Sequence, residues 1–112
     1  MRFFITEEER KNSGSTDFIE FQKGAWDGDC WKIDSISIEG ERFSELRLRR
    51  FFSMVLPQFD YYGITQVSKD EFEKLCETAK SFSADVDDCM KELGEWIGEG
   101  SEDEILFTIC GM

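Results

Sequence analysis

The chain has 112 residues, 40% apolar and 14% aromatic. That matches one domain with a single core and excludes a disordered segment, which lacks the aromatic and branched side chains that offset ordering entropy. Twenty-five acidic against thirteen basic side chains leave a net charge of −12, which repels phosphate backbones and anionic lipid heads and so argues against a nucleic-acid or membrane binder.

MRFFIT predicts a strand over 1–6, and EEERKNSGS after it reads as a polar loop closed by Gly14. The opening apolar run is far too short for a signal-peptide core or a membrane span, so the expectation is a cytosolic protein with reduced, mostly buried thiols. TDFIEFQ (16–22) predicts a second strand with unassigned faces. The glycine-flanked stretch GAWDGDCW (24–31) follows, holding two of the three tryptophans around two aspartates and a cysteine. In WKIDSISI (31–38), Trp31 and Ile33 share one face and Ile36 and Ile38 the other, which predicts a strand with a bulge or with cover on both sides.

EGE (39–41) is a turn signal. In RFSELRLRRFFSMVL (42–56), the alternation of Leu46 to Arg49 suits a strand, whereas Phe43, Leu46, Phe51, Met54 and Val55 suit a helical face. The length of the run before Pro57 selects helix. QFDYYGITQV (58–67) predicts a strand in which Gly63 marks a bulge or close backbone approach, and the adjacent Tyr61 and Tyr62 point to opposite faces, leaving one exposed.

Ser68 as N-cap and Glu71 at the third helical position form a capping box, with Val67 and Phe72 at the staple positions. Phe72, Leu75, Cys76, Ala79 and Phe82 hold one helical face, and Val86, Met90, Leu93 and Ile97 continue the spacing. Ser83 to Asp85 offers a break with a new cap, so 69–98 reads as two helices, one long helix being the alternative. GEGSEDE (98–104) reads as a charged loop and ILFTIC (105–110) as a last strand. Strands bracketing a helical block predict a single α+β domain over 1–112: a mostly antiparallel sheet with helices packed on one face and the acid on their outward side.

Chemistry is narrowed by what is missing. No histidine is present, and the cysteines at 30, 76, 89 and 110 have no C-x-x-C spacing, which removes zinc-finger, haem and thioredoxin readings. A calcium loop starting at Asp27 would need an oxygen ligand, a glycine and a glutamate where Trp31, Lys32 and Ile38 stand. Phosphate-cradling glycine loops are also missing. The expectation is a protein without metal or cofactor that is not an enzyme.

The run PQFDYYGITQVSKDEFEKL (57–75) resembles a pattern of small immunity proteins of bacterial polymorphic toxin and contact-dependent growth inhibition systems, in which an aromatic Tyr-Gly strand leads into a capped helix. The matching positions are Phe59, Asp60, Tyr61, Tyr62, Gly63, Ser68 and Phe72. The resemblance implies a cytosolic inhibitor that binds one cognate toxin domain tightly, and carries over no interface residue. Many such toxins are nucleases with basic clefts, which an acidic surface would steer and complement. A nucleic-acid mimic and a small regulatory adaptor remain as alternatives.

Tight complexes draw their energy from a few desolvated aromatic or paired charged side chains. The expected partner-binding residues are therefore Trp26, Asp27 and Asp29 in the loop, and Asp60, Tyr61 and Tyr62. Trp31, beside a predicted strand, reads first as core edge. The helical acid, including Asp85, Asp87 and Asp88, is the competing surface.

Overall fold

The structure is a computed structural model that describes residues 1–15, 17–98 and 103–111. Five strands, β1 (Ile5–Thr6), β2 (Phe18–Lys23), β3 (Ile36–Glu39), β4 (Ile64–Ser68) and β5 (Ile105–Cys110), form one antiparallel sheet in the order β1-β3-β2-β5-β4. The helices are α1 (Glu7–Ser13), α2 (Gly40–Glu45), α3 (Leu48–Val55), α4 (Lys69–Phe82) and α5 (Ala84–Ile97). The protein is an α+β fold, as expected from the order of its elements.

Register decides which residues meet. Ile19 faces Ile38, Phe21 faces both Ile36 and Ile109, and Val67 faces Phe107, so one face of the sheet is a continuous apolar layer. Against it α2 to α5 bury Phe43, Leu48, Phe51, Phe52, Leu75, Ala79, Val86 and Leu93. Phe21 is the hub: its ring lies 5.1 Å from Phe4, 6.1 Å from Phe52 and 6.0 Å from Phe107. Each fully buried ring of this kind contributes roughly 1.5–3 kcal/mol over its exposed state.

The caps at the centre of the chain form as their residues dictate. Ser68 accepts the Glu71 N–H at 3.2 Å while the Glu71 carboxylate accepts the Ser68 N–H at 3.0 Å. Ser83 ends α4 and caps α5 by accepting from Val86 N–H, so two helices form rather than one.

Four local expectations are corrected. The segment after β1 is helical, because Thr6 and Glu9 make a second capping box, Glu7 and Glu8 favour the positive helix end, and Gly14 closes it with φ of 72°. Strand 1–6 shrinks to its last two residues, because the Glu92 carboxylate accepts the backbone N–H groups of Arg2, Phe3 and Phe4. The predicted strand 31–38 forms only from Ile36, because Trp31 is left-handed (φ 59°) and Ile33 points into solvent. The predicted strand 58–67 likewise begins only at Ile64, so Tyr61 and Tyr62 lie in a turn and not on opposite strand faces.

Residues 42–56 are helical, as the length of the run before Pro57 predicts, but in two pieces. Arg47 is left-handed (φ 58°) and breaks the chain between Leu46 and Leu48, both buried. The Leu-Arg-Leu alternation that resembled a strand is this break. The expected charged loop 98–104 lies largely outside the described residues.

Candidate functional site

Opposite the helices, the sheet is polar, and a loop closes over it. Glu20, Gln22, Ser37 and Thr108 are buried on this face. Glu20 accepts from the Lys32 N–H at 2.9 Å, the Ser35 hydroxyl at 2.7 Å and Gln22 Nε2 at 3.0 Å. Gln22 Nε2 also donates to the Asp29 carbonyl at 2.8 Å, Thr108 donates to the Gly24 carbonyl at 2.8 Å, and Gln66 accepts the Trp26 N–H at 3.0 Å. Hydrogen-bonded in this way, a buried carboxylate is tolerated and the loop gains a fixed shape. GAWDGDCW is thus a strap drawn across β2, β5 and β4.

The strap reaches β4 at Gln66, and the tyrosine turn leads into the start of that strand. Trp26, half-buried, lines a shallow groove of about 510 Å³ with Gln58, Ile64, Thr65, Gln66 and Ile105. Two residues upstream of Ile64 stands Tyr62, 69% exposed. Its turn is locked: Gly63 N–H donates to the Asp60 carbonyl at 3.2 Å, the Asp60 carboxylate accepts the Tyr62 N–H at 2.9 Å, and Asp60 N–H donates to the Thr65 hydroxyl at 3.0 Å. A Cβ at Gly63 would collide with the Asp60 carboxylate, and one at Gly111, whose N–H donates to the Gly63 carbonyl at 2.8 Å, with the Tyr61 carbonyl. Tyr61, half-buried, packs on Phe43 at 5.9 Å and meets Tyr62 edge-on at 5.0 Å.

Arg49 completes this corner and was not among the sequence candidates. Its guanidinium lies 4.4 Å from the Tyr61 ring and 5.5 Å from the Tyr62 ring. The available signal was helical spacing: with Leu48, Phe51 and Phe52 buried, residue 49 falls on the outward side of α3.

The six expected residues fall in two places, Trp26, Asp27 and Asp29 in the strap and Asp60, Tyr61 and Tyr62 in the turn before β4, and they play different roles. Asp27 is engaged internally by the Lys32 ammonium, whose hydrogen bond holds its carboxyl below the usual range, and it accepts the Asp29 N–H at 3.1 Å. Asp60 shapes its own turn. Asp29 is freer, with a side chain 83% exposed and 3.8 Å from Lys32. Trp26, Tyr61 and Tyr62 supply the aromatic surface.

Much of the competing helical acid is neutralised from within. Arg2 pairs with Asp85 at 2.8 Å and Asp88 at 3.0 Å, and Lys91 with Asp87 at 3.2 Å. Glu92 accepts the N–H groups of Arg2, Phe3 and Phe4 at 3.0, 3.0 and 2.9 Å, tying the chain start to α5.

The far end of the strap carries a second apolar projection. Arg10, held by Glu7 at 2.8 and 2.6 Å, stacks 3.8 Å from the Trp31 ring, which is 37% exposed. Beyond it Ile33 is 95% exposed, while the Asp34 carbonyl accepts the Trp96 indole N–H at 2.9 Å.

Among the described residues, no group of three or more cysteine or carboxylate side chains is placed to hold a metal ion, and no helix is long and apolar enough to cross a membrane. Rigid exposed aromatics beside acid are suited to gripping a protein surface. No known family, curated protein or solved structure matches the chain.

Proposed function

We propose that the protein is an immunity protein that binds a cognate bacterial toxin domain, a basic nuclease, in the cytoplasm and covers its active site. The observation that carries this reading is Tyr62, largely exposed on a turn whose backbone is locked by Asp60, Gly63 and Thr65. An aromatic ring held rigid before binding loses little entropy on contact, and arginine, tyrosine and tryptophan dominate interface hot spots. Arg49 and Tyr61 extend the same corner, Trp26 lines the groove along β4 with Ile64, and Asp29 offers an exposed carboxylate on the strap. The net charge of −12 steers a basic partner toward the protein, and the aromatics hold it. Inhibition then requires only steric cover, with no reaction by this chain.

The test is co-expression with the product of the adjacent upstream reading frame, scored for rescue of growth and co-purification. Rescue and a stable complex are expected. A non-toxic neighbour with no complex overturns the reading. Loss of affinity in Trp26→Ala and Tyr62→Ala, with charge reversal at Asp87 and Asp88 tolerated, assigns the surface to the β4 edge; the opposite pattern moves it to α5.

A further inference from the structure

The strap carries a thiol, and the sheet beneath it carries another. Of the four free cysteines, Cys76 and Cys89 belong to α4 and α5 on the apolar side, whereas Cys30 lies exposed in the strap and Cys110 is buried at the end of β5. Two hydrogen bonds fix the strap on either side of Cys30: Gln22 Nε2 to the Asp29 carbonyl at 2.8 Å, and Lys32 N–H to the Glu20 carboxylate at 2.9 Å. Cys30 is therefore strung between Gln22 and Glu20. The cross-strand partner of Glu20 is Cys110, and paired residues project to the same face of a sheet. Cys110 thus lies under the length of strap that holds Cys30. Burial, then the charge of Glu20 and the neighbouring Cys30, pushes the Cys110 thiol up to about 12.

We propose that Cys30 and Cys110 are a redox pair that closes into a disulfide and staples the strap to β5. This inference is independent of the toxin-binding reading. The oxidant is a small disulfide of the glutathione class. The exposed Cys30 thiolate attacks one of its sulfurs, forming a mixed disulfide and expelling one thiolate. The Cys110 sulfur, losing its proton to solvent or the adjacent Glu20 carboxylate, then displaces the second thiolate. Two protein thiols and one small disulfide become one protein disulfide and two small thiols. Burial of Cys110 keeps its thiol protonated, so attack begins at the surface sulfur.

Reduced native protein is incubated with oxidised glutathione, then alkylated and followed by intact mass, peptide mapping and amide exchange. Loss of two hydrogens, a Cys30–Cys110 cross-linked peptide, and exchange over 24–32 slowed by about tenfold or more are expected. Cys30→Ser, an exposed substitution, abolishes the cross-link and leaves the fold intact. Glutathione retained on Cys30 without cross-linking, a Cys76–Cys89 link instead, or no reaction at Cys30 each overturns the proposal.

Discussion

The guanidinium of Arg49 lies 4.4 Å from the ring centroid of Tyr61, and this contact joins the basic outer side of α3 to the tyrosine turn at the edge of the sheet. Among the described residues Arg49 forms no ion pair. The residue is held by aromatic faces instead, which leaves its five donors available at the surface. Tyr61 in turn rests on Phe43, so the corner is anchored in the core.

Truncating the exposed ring tests whether this corner binds. Tyr62→Ala is expected to weaken a toxin complex by about 30-fold or more, the scale of a hot-spot residue, with the unfolding midpoint of the free protein nearly unchanged. Calorimetric titration measures the first and a denaturant melt the second. A stability loss matching the affinity loss would mark Tyr62 as structural.

The chain start is tied to α5 mainly by one carboxylate. Removing it in Glu92→Ala strands three backbone N–H groups and is expected to cost about 1–3 kcal/mol. Arg2→Ala removes two ion pairs whose side chains are about half exposed and an exposed guanidinium contact 4.5 Å from the Phe3 ring, and is expected to cost about 1 kcal/mol or less. Urea unfolding of both variants checks the order.

Ser68→Ala removes the N-cap of α4 and is expected to cost about 1 kcal/mol. Partner affinity is expected to stay the same, since Ser68 is half-buried at the start of α4, beyond Ile64 and Tyr62. An unaltered denaturation midpoint would contradict the capping role.

Acid should weaken the fold partly through Glu7. Its hydrogen bond from Arg10 holds the buried carboxyl below its ordinary value of 4.5, against the opposing effect of burial. A lowered native pKa means that this contribution is complete above pH 4.5 and disappears as pH falls through the native value. Stability measured against pH is therefore expected to decline below 4.5 in the native chain, and Glu7→Gln to flatten part of that limb. Parallel acid limbs in the two proteins would refute it.

What could be read along the chain is what neighbouring residues settle among themselves. The Ser68–Glu71 box, the Ser83 break between α4 and α5, and the final strand need only contacts within a few residues or one unbroken apolar pattern. The Thr6–Glu9 box was equally present in the sequence, but the apolar run before it and the polar run after it pointed to strand and loop. Long-range packing decided the remainder. Ile33 and Tyr62 look like strand residues by type, yet the backbone around each is held by partners that local pattern does not identify: Glu20, on a different strand, for the strap, and the Asp60–Thr65 hydrogen bond with the close approach of Gly111 for the turn. The placement of Trp26 beside Gln66 spans forty positions of sequence, and that of Arg2 beside Asp85 more than eighty. Only the register of the five strands and the docking of the chain start on α5 bring such residues together. Composition alone could indicate acid and aromatics in abundance; the tertiary structure determined which acids are already matched by Arg2, Lys32 and Lys91, and which aromatic ring stands free.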